Sequence, residues 1–265
     1  MGSQAARLAE GPRWDADAGE LLWVDIHGEA LHAGDRTIAC GSKVCAAAPW
    51  RPGVVLVALA DALAEVHVAD GSVVHLTEVP HARAGMRCND GACDVAGRFW
   101  IGTMAEDLTP GAAALYRYDP DGELRTALTG VTLSNGLGWD TSGRLMYYID
   151  STTQRVDVFD CDPATGTLAN RRPFATVSDA DGIPDGLAVD DDGGVWVALY
   201  GGGEVRRFAA DGTLDARVEV PAAKTTACCF AGSRLYVTAA EGLFAVDVPY
   251  SGPPAWRYGG SDVRA

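Results

Sequence analysis

Residues 87–104 read Arg87-Cys88-Asn89-Asp90-Gly91-Ala92-Cys93-Asp94-Val95-Ala96-Gly97-Arg98-Phe99-Trp100-Ile101-Gly102-Thr103-Met104. Asp94 to Gly97 has the composition of a tight turn, because Asp bonds its own backbone and Gly accepts a positive φ. Residues 99–103 then read as a strand. Ahead of the turn stand three polar side chains, Arg87, Asn89 and Asp90, where a purely structural strand has no need of them.

The unit recurs. Asn135-Gly136-Leu137-Gly138-Trp139-Asp140 leads to Gly143 and an apolar run over 145–149, and Asp185-Gly186-Leu187-Ala188-Val189-Asp190 leads to Gly193 and a run over 195–199. Gly97 and Gly143 are 46 residues apart, Gly143 and Gly193 are 50 apart. A period of roughly 40–50 residues holding several short strands signals a β-propeller. In each copy a polar residue lies 8 positions before the glycine: Asn89, Asn135 and Asp185. Glu10 lies 9 positions before Gly19 and joins the set. In the second repeat the corresponding place falls near Cys45, and in the sixth it falls on Lys224. Blades are related by rotation about one axis, so these side chains are predicted to converge.

The chain has 265 residues, which at a repeat of about 45 gives six blades. No linker or shift of composition divides it, so the expectation is all-β: a six-bladed β-propeller with four-stranded blades, one domain over 1–265. The last blade is one strand short, and residues 7–10 are predicted to complete it, which removes open sheet edges. A net charge of −15 argues against nucleic acid and anionic membranes as partners. No signal peptide is visible, and the longest apolar stretch, 54–60, is too short to span a bilayer. The seven cysteines are odd in number, irregularly spaced and without a CxxC, which reads as reduced thiols in a cytoplasmic protein. Cys228 and Cys229 are predicted on opposite faces of one strand.

Carboxylate and carboxamide oxygens without thiolate or imidazole suit a hard divalent cation such as Ca²⁺, Mg²⁺ or Mn²⁺. Two buried carboxylates repel each other and lose solvation, and a cation relieves both penalties. Glu10, Asn135 and Asp185 are therefore the expected metal ligands. The competing expectation is that each polar residue merely caps a turn, and a common register in four copies weighs against it. Phosphate-binding glycine loops, GxSxG and HExxH are absent, so the chemistry on offer is hydrolysis by metal-activated water.

The stretches Glu10-Gly11-Pro12-Arg13-Trp14, Arg87-Cys88-Asn89-Asp90-Gly91, Gly102-Thr103-Met104-Ala105-Glu106, Ser134-Asn135-Gly136-Leu137, Pro184-Asp185-Gly186-Leu187 and Lys224-Thr225-Thr226 together resemble the senescence-marker-protein/gluconolactonase/luciferin-regenerating-enzyme family, which includes regucalcin and sugar lactonases. The resemblance implies one divalent cation in the central channel, Ca²⁺ first, with Zn²⁺, Mn²⁺, Mg²⁺ and Fe²⁺ open. It implies Glu10, Asn135 and Asp185 as metal ligands, Asp185 also as general base, and Arg87, Asn89 and Asp107 as substrate contacts. Asp107 stands where the family often has Glu. The implied activity is that of a hydrolase acting on a carboxylic ester, opening a sugar lactone to its aldonic acid, in a monomer or weak homo-oligomer. The alternative is a non-catalytic calcium-binding regulatory protein of the regucalcin kind.

Overall fold

The turn at Asp94 forms as its residues dictate. Gly97 donates its N–H to the Asp94 carbonyl at 3.0 Å with φ +77°, and Asp94 Oδ1 accepts the N–H groups of Ala96 and Arg98. The same carboxylate accepts from Trp100 Nε1 at 3.0 Å. Two repeats later Asp190 accepts from Gly194 N and from Trp196 Nε1 at 2.8 Å. These two repeats thus each bolt a buried tryptophan to their own turn.

The computed structural model describes residues 6–260. The first sheet comprises β1 (Ala9–Asp15), β2 (Glu20–Asp25), β3 (Ala30–Ala33) and β4 (Arg36–Ala39), and the second β5 (Val44–Arg51), β6 (Val54–Leu59), β7 (Ala62–His67) and β8 (Val73–Glu78). The third holds β9 (Met86–Cys93), β10 (Phe99–Ala105), β11 (Ala113–Tyr118) and β12 (Leu124–Val131). The fourth holds β13 (Ser134–Trp139), β14 (Leu145–Asp150), β15 (Arg155–Cys161) and β16 (Leu168–Thr176), and the fifth β17 (Ile183–Val189), β18 (Val195–Tyr200), β19 (Glu204–Phe208) and β20 (Leu214–Glu219). All are antiparallel meanders. The last sheet pairs β21 (Thr225–Ala239) with β22 (Gly242–Gly252).

The fold is an all-β propeller, but the expected count of blades is corrected: among the described residues there are five four-stranded blades, not six, and the remaining sheet has two strands. Two causes are visible. The residues on either side of Gly232 form the single 15-residue strand β21, which folds back so that the hydroxyls of Thr226 and Thr238 meet at 2.9 Å. And residues 7–10 do not supply the missing strand. The Asp25 carboxylate takes the N–H groups of Arg7 and Leu8, both at 3.0 Å, and Ala9 and Glu10 pair with Asp25 and Val24 of β2. The first blade captures that segment; bonds from Ala6 N to Glu241 O, Ala9 N to Ala240 O and Thr226 Oγ1 to Ala9 O join it to the last sheet.

The seven cysteines are unpaired. Cys228 and Cys229 do face opposite ways, Cys228 toward Trp196 and Phe230 and Cys229 toward Leu21 and Trp23. No helix among the described residues is long and apolar enough to cross a membrane.

In each four-stranded blade the innermost strand carries an irregularity at the predicted convergent position. Register slips between Glu10 and Arg13 in β1, Val44 and Ala46 in β5, Ser134 and Leu137 in β13, and Pro184 and Leu187 in β17. In β9 the slip sets Asn89 and Asp90 against the single residue Gly102. A bulge of this kind bends the strand and re-aims a side chain. The glycine after the polar residue is required by close packing: a Cβ on Gly136 would lie 2.6 Å from the Asp185 carbonyl oxygen, and one on Gly186 would lie 2.4 Å from Cβ of Ala227.

Beyond β22 the chain crosses the turn-bearing ends of the inner strands. Ala255 N bonds Trp14 O, Tyr258 N bonds Pro49 O and Gly259 N bonds Gly97 O. Arg257 pairs with Asp15 at 2.8 Å and Asp17 at 3.0 Å and donates twice to Trp50 O. With Pro253, Pro254 and Trp256 it closes that end of the channel over an apolar cavity of about 80 Å³ that Leu137, Leu187 and Phe230 also line. The convergent residues lie toward the opposite ends of the same strands.

Candidate functional site

Arg87, Asn89, Asn135 and Asp185 are each 6–8% exposed. The bulges bring Arg87, Asn89 and Asn135 into one network that ends one residue before Asp185. Arg87 Nη1 donates to Asn89 Oδ1 at 2.7 Å. Asn89 Nδ2 donates to Asn135 Oδ1 and to the Ser134 carbonyl, both at 2.8 Å. Asn135 Nδ2 donates to Ser151 Oγ at 2.8 Å, and Ser151 Oγ donates to the Pro184 carbonyl at 2.6 Å, one residue before Asp185.

Glu10, partly buried, and Asp185 lie within electrostatic reach of Arg87 and Asp90. Burial pushes the Glu10 carboxyl up to about 8, and the charge of Asp90 adds to the effect. Burial, then Glu10, then Asp90 hold Asp185 well above the usual carboxylate range. Burial also raises Asp90, against the pull of Arg13, whose Nη2 stands 3.4 Å away. The two arginines closest to the acids are committed elsewhere: Arg13 to Asp90 and the Gly91 carbonyl, Arg87 to Glu106 at 3.3 Å. Glu10 and Asp185 are therefore buried acids without an ion-pair partner among the described residues. Burying charge unpaired is expensive, so the metal-free groups keep their protons.

Among the described residues no three His, Cys, Asp or Glu side chains cluster in a way that could hold a metal ion. What converges instead is two acids and two carboxamides, an all-oxygen set. Cys45 stands at the equivalent position of the second blade with its Sγ 3.9 Å from Arg87 Nη1, and burial raises its thiol to about 11. Lys224 is exposed, with Nζ 5.8 Å from the Tyr200 ring centroid.

Asp107 is placed apart from the network. Its carboxylate, 60% exposed, pairs with Arg83 and accepts from Thr109 N and Oγ1. The acid that reaches Arg87 is its neighbour Glu106, which also bonds Lys43 Nζ at 2.5 Å. Glu106, Arg13 and Ser151 carry no signal at the repeat register. Asp90 carries none there either, since Gly136 and Gly186 stand at its place in the next two repeats; the sequence shows it as a polar residue ahead of the turn, directly after Asn89.

The family model described as SMP-30/gluconolactonase/LRE-like region matches residues 8–241. A candidate sugar lactone lactonase of Bacillus subtilis, YvrE, is 35% identical over 260 residues, 94% of this chain and 89% of that protein. Regucalcin of Gallus gallus is 35% identical over 256 residues, 91% and 86% of the two chains. Among solved structures, a calcium-binding protein, regucalcin, from Agrobacterium tumefaciens superposes with a TM-score of 0.91 at 27% identity, covering 96% of this chain and 95% of the other.

Proposed function

The chain belongs to the SMP-30/gluconolactonase/LRE-like family, and from that premise we propose that it hydrolyses the ring ester of a sugar lactone with one divalent cation held by Glu10, Asn135 and Asp185. The observation that carries the reading is the pair of buried acids, Glu10 and Asp185, with no cationic partner and neutral oxygen donors beside them. Oxygen donors with two carboxylates suit Ca²⁺ first and Mg²⁺ or Mn²⁺ next. When bound, the cation supplies the positive charge that lets both acids ionise and the Lewis acidity that polarises a lactone carbonyl.

The chain's own residues do the rest. Arg87, fixed by Asn89 and Glu106, directs guanidinium N–H groups at the oxygen that gains charge as water adds to the carbonyl carbon. Asn89 keeps Arg87 and Asn135 in register. Asp185 accepts the proton of the attacking water; the ring C–O bond breaks and the departing alkoxide takes a proton back. Asp107 must release Arg83 to meet a sugar hydroxyl, whereas Glu106 already stands at Arg87.

A pH-stat assay over a panel of sugar γ- and δ-lactones, with EDTA and with added cations, tests the reading. Turnover that is lost in EDTA, restored by a divalent cation and abolished in Asp185→Asn supports it. Undiminished turnover in Asp185→Asn removes Asp185 from the mechanism. The kinship with regucalcin, a name that the Agrobacterium structure couples to calcium binding, favours a second reading: a calcium-binding protein without turnover. Calcium binding with no lactone of the panel hydrolysed selects it.

A further inference from the structure

Ser151 lies outside every motif of the sequence, yet it is 1% exposed and stands where the fourth and fifth blades meet. It opens a short 3-10 turn, Ser151–Thr153, at the end of β14. Its hydroxyl accepts from Asn135 Nδ2 and donates to the Pro184 carbonyl. The chain of bonds Arg87 to Asn89 to Asn135 to Ser151 to Pro184 therefore runs in one direction across three blades. Its sense is forced at both ends. A guanidinium can only donate and a peptide carbonyl can only accept. Between them each carboxamide has one orientation in which every bond is made, and that orientation turns both Oδ1 atoms toward Arg87. Asn135 Oδ1 then accepts one bond, from Asn89, and keeps a lone pair.

The geometry points to Ser151 as a positioning residue that fixes the Asn135 carboxamide with its oxygen toward the cation site and ties Asn135 to the Asp185 strand. This rests on the reading of Glu10, Asn135 and Asp185 as metal ligands. Without the hydroxyl, Asn135 Nδ2 loses its acceptor, and the Asn89 Nδ2 donor alone still opposes a flip that would present N–H groups to a cation. Outer partners of metal ligands are worth about 10–100-fold in metal affinity when removed.

The test is calcium binding by titration calorimetry, which needs no turnover. Ser151→Ala is expected to weaken binding about 10–100-fold. Ser151→Thr, which keeps the hydroxyl, is expected to stay within a few fold of the parent. Ser151→Cys, nearly isosteric with a weak donor, is expected between the two and serves if the alanine variant fails to fold. In an Asn135→Ala background, Ser151→Ala is expected to change affinity no further, because its effect passes through the carboxamide. Equal affinity of parent and Ser151→Ala overturns the inference and leaves the lactonase reading standing. Equal losses in the parent and Asn135→Ala backgrounds also overturn it, as a merely structural role would give that result. A parent chain that binds no divalent cation overturns both this inference and the metal dependence proposed above.

Discussion

Replacing Glu10 by Gln in the metal-free protein tests the electrostatics of the site in isolation. Folded Glu10 keeps its proton up to about pH 8, whereas the unfolded chain releases it near the ordinary 4.5. Between those values the folded state binds the extra proton, so this group's contribution falls as pH rises; it is complete below 4.5 and lost above 8. At about 1.4 kcal/mol per pH unit the interval is worth at most about 5 kcal/mol. Gln is neutral throughout and lacks this slope. The variant should match the parent near pH 5 and exceed it progressively toward pH 8. For a chain of this length about 2–4 °C of melting temperature accompanies each kcal/mol, so the expected gain at pH 8 reaches about 10 °C or more. Urea and thermal unfolding of both proteins in EDTA at pH 5, 6.5 and 8 read it out. A stability difference that stays constant over that range refutes the claim that Glu10 is buried with its proton.

The same two acids make cation uptake a proton-releasing step. Calcium titrations at pH 7 in buffers of different ionisation enthalpy should show between one and two protons liberated, and buffer-independent heats would exclude it. Glu106→Gln should raise KM for a lactone substrate about tenfold by freeing Arg87, while Asp107→Asn changes it less than threefold; the reverse order would place Asp107 at the substrate. Arg257→Ala removes two ion pairs and two bonds to Trp50 O, and should lower stability by about 2 kcal/mol without altering calcium affinity. A melting temperature unchanged within a degree would mean that the segment beyond β22 does not fasten the channel.

The strands, their turns and the convergence of Asn89 and Asn135 with Asp185 nearby were legible because each depends on residues close in sequence: an Asp–Gly turn, an apolar run, a fixed offset. The blade count was misread because pairing is a contest between distant partners. The Asp25 carboxylate takes the N–H groups of residues 7 and 8, as Asp150 takes those of Thr132 and Leu133, and the partners of such bonds lie 17 and 18 residues apart. Ser151 was silent for a similar reason. It follows Asp150 at the end of β14, and the corresponding residue after Asp25 at the end of β2 is Ile26, so no repeat marks it. Arg13 lay within a quoted motif, but its reach to Asp90 and Gly91 crosses from β1 to β9. The closing segment around Arg257 lies outside the repeats altogether, and only the folded chain shows what it covers.

The slips of register at the inner strands make the centre a set of sockets. Each blade holds its own ladder above and below the bulge, and the side chain seated there is decided by one codon. Blade two offers a thiol at Cys45 where its neighbours offer oxygen. Such a plan lets the chemistry of the hub be retuned blade by blade, toward softer or harder ions, while the surrounding wheel keeps its shape.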